Sequence, residues 1–212
     1  MRPALSRQAQ KAETRAAILA AARALFAERG FEATTLKAVA SRAGVAVGTV
    51  FVHVPDKAAL LTEALHDDLA RVLAEAGADL PTAPRDQILH LAGALYRYYA
   101  INPALSAVLV KESLMAPLAE GSHSDAVLRG FLGQVAGALV GGGMLRPGTS
   151  PITGATAFFA LYVVVLLGGL RAAAGGAGGM DPDAMVAQLS GLMDQALPQE
   201  PGPFGPIEAQ HG

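Results

Sequence analysis

The sequence predicts an all-α fold, with a small three-helix domain at the N-terminus and a larger helical domain after it. Two observations carry this prediction. Apolar residues recur every three or four positions in most segments, which is the spacing of one face of a helix. Glycine and proline clusters interrupt this pattern at intervals of about one helix length, and no segment has the alternating pattern of a strand.

The composition sets broad limits on the protein. A chain of 212 residues is long enough for one or two domains with a sizeable core. Hydrophobic residues make up 52% and charged residues only 16%, so we expect self-association to cover part of the apolar surface. The chain has no cysteine, and its five histidines are too scattered for a familiar metal motif. The sequence therefore predicts neither a metal site nor a cofactor.

Charge is divided unevenly along the chain. Residues 1–57 contain nine Lys or Arg and four acidic residues, a net charge of +5, whereas the remainder carries −7. A basic N-terminal region is typical of proteins that bind a polyanion, because phosphate neutralisation supplies the sequence-independent part of DNA affinity. A solvated basic face is the plainer alternative.

The N-terminal region begins with a segment that lacks helical periodicity. Residues 1–12 mix basic and small polar side chains, and we predict a flexible basic arm there. Residues 14–29 carry one apolar stripe at helical spacing, and Gly30 follows as an end signal.

Residues 34–57 have the sequence TTLKAVASRAGVAVGTVFVHVPDK. This pattern is typical of two short helices joined by a turn. Threonines precede the first helix as candidate N-caps, and Gly44 can take the left-handed conformation of a sharp turn. The second helix is short, nearly uncharged and ends before Pro55. We therefore predict a helix-turn-helix at residues 34–54, although an ordinary helical hairpin would use the same signals.

The rest of the chain predicts further helices and a tail. A helix near residues 57–76 links the two domains, and the last 15 residues, 198–212, are rich in proline and glycine and are predicted to be disordered. We divide the chain into an N-terminal domain at residues 1–57, a helical domain at 58–197 and this tail. The helical domain is predicted to contain helices near residues 85–100, 103–115, 124–140, 152–170 and 181–197.

The segment at residues 152–170 has no charged residue and permits two interpretations. Its length suits a membrane span, but it contains glycine and threonine and has no second span to match. A buried helix packed closely against a partner helix is the better interpretation. We predict a homodimer through the helices near residues 152–173 and 181–197, and no membrane association.

No enzyme motif is present in the sequence. It has no GxGxxG after a strand, no GxSxG, no P-loop and no HExxH, and its glycine clusters fall between helices. The N-terminus has no apolar segment of secretory length, which favours a cytoplasmic location. The sequence therefore favours a binding protein over an enzyme.

The N-terminal domain resembles the TetR, or tetracycline-repressor, family of bacterial transcriptional regulators. The resemblance covers about a quarter of the chain. It rests on Thr14-Arg15, the run from Ala21 to Phe31, Ala33-Thr34-Thr35, Val39-Ala40, Ala43-Gly44-Val45, Gly48-Thr49, His53, Pro55, Lys57 and Ala59-Leu60-Leu61.

The resemblance implies a homodimeric repressor that binds a palindromic double-stranded DNA operator and is released by a small-molecule effector. The residues it assigns to bases or to the floor of the groove are Val45, Ala46, Val47, Gly48 and Thr49. Those assigned to phosphates are Thr35, Arg42, Phe51, His53 and Lys57, and Lys37 is expected to add affinity.

This chain departs from the pattern of the family at three positions. Members of the family often have lysine at the position of Val47, tyrosine at that of Phe51 and phenylalanine at that of Val54. Val47 can make at best an apolar contact, for example with a thymine methyl group, and Phe51 lacks a hydroxyl group for a phosphate. The second helix is therefore unusually apolar for a helix that recognises DNA.

The candidate effector pocket comprises the bulky or polar residues within the apolar helices of the second domain, although each could be plain core. These residues are Tyr96, Tyr99, Met115, Phe131, Gln134, Phe158, Phe159 and Tyr162. The effector itself is not predicted. The alternative function is a helical small-molecule binding or adaptor protein that does not read DNA.

Overall fold

The computed structural model describes residues 6–115, 122–176 and 179–196. These ranges contain helices and no strand, so the all-α prediction is confirmed. The helices are α1 (Arg7–Ala33), α2 (Leu36–Ala43), α3 (Val47–His53), α4 (Lys57–Ala78), α5 (Pro84–Ile101), α6 (Pro103–Met115), α7 (His123–Gly141), α8 (Pro151–Ala174) and α9 (Pro182–Ala196).

Helix α1 begins earlier than the sequence predicted. Ser6 caps it by accepting a hydrogen bond from the Ala9 amide at 3.2 Å, and the helix runs on from Arg7. The prediction of an irregular arm over residues 1–12 is therefore wrong from Arg7 onward, because the polar residues of this stretch are good helix formers with a cap before them. Residues 1–5 and the predicted tail lie outside the described residues.

Gly30 bends the end of α1. Its φ of 76° lies in the region that favours glycine, so the helix is broken there before it ends at Ala33. The hydroxyl of the buried Thr34 lies 2.8 Å from the Gly30 carbonyl and 3.2 Å from that of Leu25. These contacts satisfy carbonyls that the break removes from the helical ladder.

The helices pack into two compact units. The first contains the described parts of Met1–Val72 and Tyr98–Val127, and the second those of Leu73–Arg97 and Leu128–Gly212. Helices α4, α5 and α7 each contribute to both units. These packing units do not coincide with the predicted division after residue 57, which concerns function and stays a prediction.

In the first unit, arginines of α1 bind the outer side of α4. Arg15 forms an ion pair with Glu63 at 2.7 Å, and the Arg23 guanidinium donates to the Ala64 carbonyl at 3.1 Å. Arg23 also lies 3.6 Å from a carboxylate oxygen of Asp67. Ion pairs and a hydrogen bond therefore hold α1 to the first three turns of α4.

A polar cluster joins α4 to α6 and α7 within the same unit. His66 Nδ1 lies 2.5 Å from the Ser124 hydroxyl oxygen, and His66 Nε2 lies 3.5 Å from that of Ser113. Burial, and to a smaller extent the nearby His123, lower the pKa of His66 to about 4. The imidazole of His66 is therefore neutral near pH 7.

In the second unit, α8 and α9 pack against each other. Ser150 caps α8, and Asp181 caps α9 by accepting the amides of its first turn. A side chain added at Gly169 would come within 2.7 Å of the Met185 sulfur, so this glycine permits the close approach of the two helices. Arg85 joins α5 to α9 through an ion pair with Asp194 at 2.6 Å.

Helix α8 leaves one face uncovered. Thr153, Ala157, Ala160, Val164 and Gly168 are exposed at helical spacing, and Val164 is 62% exposed. By length and composition alone α8 could also cross a membrane, and 28% of its most apolar 18-residue window is buried within the chain. A helix whose charge is confined to Arg171 in its last turn, and which has small residues along an exposed face, suits close packing against another helix.

Candidate nucleic-acid interface

Helices α2 and α3 are joined by a tight glycine turn. Thr35 begins α2, where its hydroxyl oxygen accepts a hydrogen bond from an amide of the first turn at 3.1 Å. Gly44 ends α2 with φ 70° and ψ 30°, and the amide of Val45 then donates to the Ala40 carbonyl at 3.0 Å. This is a Schellman motif, in which glycine takes the left-handed conformation. The helix-turn-helix predicted at residues 34–54 is confirmed.

Helix α3 is anchored on one side and exposed on the other. Val50 and Val54 are fully buried, so the smaller residue at Val54 still contributes to the core. Gly48, Phe51 and Val52 lie at the i, i+3, i+4 spacing of one helix face and are all exposed. Phe51 is 54% and Val52 73% exposed. This side of α3 is free to meet another molecule.

Gly48 has no packing role within the described residues. A Cβ built on it meets no atom within 4 Å, and its φ is not in the region that favours glycine. Glycine inside a helix costs about 1 kcal/mol relative to alanine. Neither packing nor backbone conformation within the described residues requires glycine here. Close approach by a molecule outside the chain is therefore the best reason for this glycine.

Helix α2, which packs against α3, carries two basic residues. Lys37 is exposed, and the guanidinium of Arg42 is paired with the Glu28 carboxylate of α1 at 2.7 Å. The hydrogen bond from Arg42 lowers the pKa of the Glu28 carboxyl group, so the pair is ionised at neutral pH. The guanidinium of Arg42 is thus exposed but has an internal partner.

Lys57 has a different environment from the one the sequence suggested. Its ammonium group donates to the carbonyls of Phe31 at 2.9 Å and of Glu32 at 3.2 Å, and it lies 4.3 Å from the centre of the Phe31 ring. Lysine near a helix C-terminus interacts favourably with the free carbonyls. Its predicted contact with phosphate stays a prediction, but Lys57 also has a structural role.

The structure brings the predicted DNA-binding residues together on α2, the turn, α3 and the first residue of α4. Ala46 is exposed, whereas Val45, Val47, Thr49 and His53 are partly buried. Their assignments to bases or phosphates stay predictions. Sequence reasoning missed Val52, although its position four residues after Gly48 was a signal for the same helix face.

Five of the predicted pocket residues form one aromatic cluster in the second unit. The Tyr162 ring stacks on Tyr96 with centroids 4.9 Å apart, and it lies 5.6 Å from Phe131 and 5.9 Å from Phe159. Phe158 lies 6.4 Å from the same ring. The hydroxyl of Tyr96 donates to the Tyr162 carbonyl at 3.0 Å, which fixes the pair.

The other three predicted pocket residues lie elsewhere. Tyr99 and Met115 belong to the first unit, where Tyr99 is buried and Met115 is 78% exposed. Gln134 is in the second unit, with an exposed side chain. Their part in a pocket stays a prediction.

Comparison with known sequences identifies the N-terminal domain. The family model described as "Bacterial regulatory proteins, tetR family" matches residues 18–64, which include α2, the glycine turn and α3. The chain is also 34% identical over 125 residues to the HTH-type transcriptional repressor KstR of Mycobacterium tuberculosis. The N-terminal part of the chain is therefore similar to regulators of the TetR family. That alignment covers 58% of this chain and 56% of the repressor.

Solved structures of TetR proteins share the fold. A TetR transcriptional regulator from Rhodococcus sp. RHA1 is 22% identical, with a TM-score of 0.70 over 88% of this chain and 96% of that one. Thermus thermophilus FadR, a TetR repressor crystallised with lauroyl-CoA, is 24% identical, with a TM-score of 0.63 over 91% and 99% of the two chains. These similarities extend the TetR fold from the N-terminal domain to most of the chain.

The chain spans between 56% and 61% of the length of the three curated KstR relatives it matches. The sequence similarity to these relatives therefore covers only part of their length.

Proposed function

We propose that this TetR-like protein is a cytoplasmic, homodimeric transcriptional repressor that binds a palindromic operator and is released by a small-molecule effector. The observation that carries the proposal is the exposed face of α3, where Gly48 lets the helix backbone come close to a partner. A recognition helix that enters the major groove needs such a face.

The charge distribution supports DNA as the partner. The net charge of +5 in residues 1–57 accompanies an exposed Lys37 and an exposed Arg42 on α2. Thr35 uses its oxygen to cap α2, and its hydroxyl hydrogen is still available to donate to a phosphate. These groups belong to α2 and its cap, and α2 packs against α3, so they are candidates to hold phosphates while α3 meets the bases.

The uncovered face of α8 supports a homodimer. The predicted interface at residues 152–173 and 181–197 corresponds to α8 and α9, whose bounds are Pro151–Ala174 and Pro182–Ala196. A second copy of the chain is the occupant we propose for this face. A two-fold dimer carries two copies of α3, and their symmetry requires a palindromic operator.

The effector site is proposed at the aromatic cluster of the second unit. Tyr96, Phe131, Phe158, Phe159 and Tyr162 provide a large apolar surface of the kind that lines ligand sites. Two regulators of similar fold, FadR of Thermus thermophilus and FadR of Bacillus subtilis, were crystallised with lauroyl-CoA and stearoyl-CoA. Acyl-CoA thioesters are therefore the first compounds to test.

Selection from a random duplex library tests the DNA-binding function. Repeated selection with the full-length protein should enrich an inverted repeat, bound at least about a thousandfold more tightly than random DNA. Affinity measured by fluorescence anisotropy should fall steeply as salt rises. Enrichment of no sequence would reject the repressor function and favour a helical binding or adaptor protein.

Ligand release is tested on the same complex. Acyl-CoA thioesters of different chain length are added to the protein bound to its selected duplex, and anisotropy measures dissociation. Loss of binding with one compound, together with a raised thermal unfolding temperature, would support effector control. A compound that raises the unfolding temperature but leaves the DNA bound would contradict the repressor mechanism.

A further inference from the structure

The exposed face of α3 is unusual in its chemistry. Phe51 and Val52 are both large, apolar and more than half exposed, and Gly48 lies one turn before them. Exposing two adjacent apolar side chains on a short helix is unfavourable unless another molecule covers them. The chain thus places apolar groups where a DNA reader commonly has hydrogen-bonding groups.

Helix α3 and its flanking residues lack the side chains that pair with two atoms of one base. Between Val45 and Val54 the polar side chains are those of Thr49 and His53, and both are partly buried. Bidentate recognition of guanine requires arginine or lysine, and that of adenine requires asparagine or glutamine. Direct reading by α3 therefore depends on contacts of another type.

The major groove offers one apolar group, which is the 5-methyl group of thymine. An aromatic ring and a branched aliphatic side chain can pack on this methyl group at ordinary van der Waals distance. Such packing needs the helix to lie deep in the groove. Gly48 meets this need, because nothing protrudes from the helix backbone at this point of the exposed face.

We propose that Phe51 and Val52 read the operator by packing on thymine methyl groups, so that each half-site carries thymine at the positions facing them. The proposal rests on the repressor function proposed above and adds the chemical basis of its specificity. The occupant of this apolar face is the major groove of duplex DNA, because the surrounding residues 1–57 carry a net charge of +5.

The size of the effect follows from the burial of one methyl group. Removing a buried methyl lowers affinity about fourfold, and contacts at separate base pairs contribute nearly independently. Replacing thymine by deoxyuridine removes this methyl group and leaves the hydrogen-bonding pattern of the base pair unchanged. This substitution therefore isolates the proposed contact.

The test uses duplexes that the full-length protein selects from a random library. Each thymine of one half-site is replaced in turn by deoxyuridine, and the dissociation constant is measured by anisotropy. We expect a loss of about fourfold at one or two thymines of each half-site and a change of less than twofold at thymines outside the footprint. Thymine-poor half-sites, or a uniform absence of effect, would overturn the inference.

Combining the Val52→Ala variant with the deoxyuridine substitutions, as in a double-mutant cycle, identifies the thymine methyl group that Val52 contacts. In this variant the deoxyuridine loss should disappear at one position and persist at the others, because the methyl group has already lost its partner. Val52 is exposed, so the variant should keep its fold, and circular dichroism checks this. Losses that are equal in both proteins at every position would overturn the assignment to Val52. Failure to select any sequence would instead reject the repressor function.

Discussion

The guanidinium of Arg42 lies 2.7 Å from the carboxylate of Glu28, so a cation predicted to meet DNA is already paired with an anion of its own chain. Both side chains are exposed, with 41% and 47% of their areas accessible. If Arg42 pairs with a phosphate as predicted, that phosphate competes with Glu28 for the guanidinium.

Replacing Glu28 by Gln is expected to tighten DNA binding by about two- to fivefold, which is the range of an exposed ion pair. The reason is that Arg42 is then free before DNA arrives. Anisotropy with the selected duplex measures the change. In an Arg42→Gln background the same Glu28 substitution should have no effect, and an equal gain in both backgrounds would mean that Glu28 acts by general charge.

Replacing Gly48 by Ala is expected to stabilise the protein by about 0.5–1 kcal/mol, since the added methyl group meets open space and alanine is the better helix former. The same methyl group should weaken DNA binding by at least about tenfold, because it separates α3 from the groove. Urea unfolding and anisotropy measure the two effects. Gly137→Ala on α7, where a Cβ also meets nothing within 4 Å, is the control and should leave DNA affinity unchanged.

Replacing Lys57 by Met is expected to destabilise the first unit by about 1–2 kcal/mol. The ammonium group donates to the carbonyls of Phe31 and Glu32, and methionine keeps only the apolar stem. Urea unfolding at neutral pH tests this expectation. Unchanged stability with reduced DNA affinity would instead indicate that Lys57 contacts phosphate and does not stabilise the fold.

Stability should fall in acid through His66. Its pKa is about 4 in the folded protein and 6.5 without the surrounding structure, so the unfolded chain binds the proton more readily. The contribution is complete above pH 6.5 and is lost as the pH falls from 6.5 towards 4, by about 2–3 kcal/mol. Urea unfolding between pH 7 and pH 4.5 measures this loss.

The variant His66→Gln is the comparison for this titration. Glutamine can keep a hydrogen bond with Ser124 or Ser113 but does not titrate in this range. The difference in the free energy of unfolding between the two proteins should therefore depend on pH. Parallel stability curves would contradict the role of His66.

Replacing Val164 by Glu is expected to dissociate the proposed homodimer, because it places a charge on the uncovered face of α8. Sedimentation at micromolar concentration should give a monomer that binds the palindromic duplex weakly. Ile101→Glu is a matched control, since Ile101 is 79% exposed and lies on α5 in the first unit. Dimers in both variants would exclude α8 as the interface.

Local signals predicted the helix-turn-helix well. The Thr35 cap sets the start of α2 and Gly44 sets its end through contacts within a few residues, and the structure has both. The start of α1 was missed because the polar residues after Ser6 have no apolar periodicity, although they are good helix formers. The exposure of Val52 was not predictable from local signals. It depends on the burial of Val50 and Val54, which fixes the side of α3 that faces the core and is decided by tertiary packing.

The partners of charged side chains were not predictable in the same way. Arg42 meets Glu28 across 14 positions and Lys57 meets Phe31 across 26, and nothing in the sequence selects these partners over others. The aromatic cluster was predicted as a set of residues, whereas its grouping depends on how α5, α7 and α8 pack. Tyr99 and Met115 belong to a different unit for the same reason.

The binding of α1 to α4 has a consequence for engineering. Arg15 and Arg23 contact Glu63, the Ala64 carbonyl and Asp67, so a fragment cut after residue 57 would lose these partners. The polar cluster at His66 binds α4 in turn to α6 and α7. A chimaeric regulator built on the proposed DNA-binding residues should therefore keep the whole first unit, which is much longer than the helix-turn-helix.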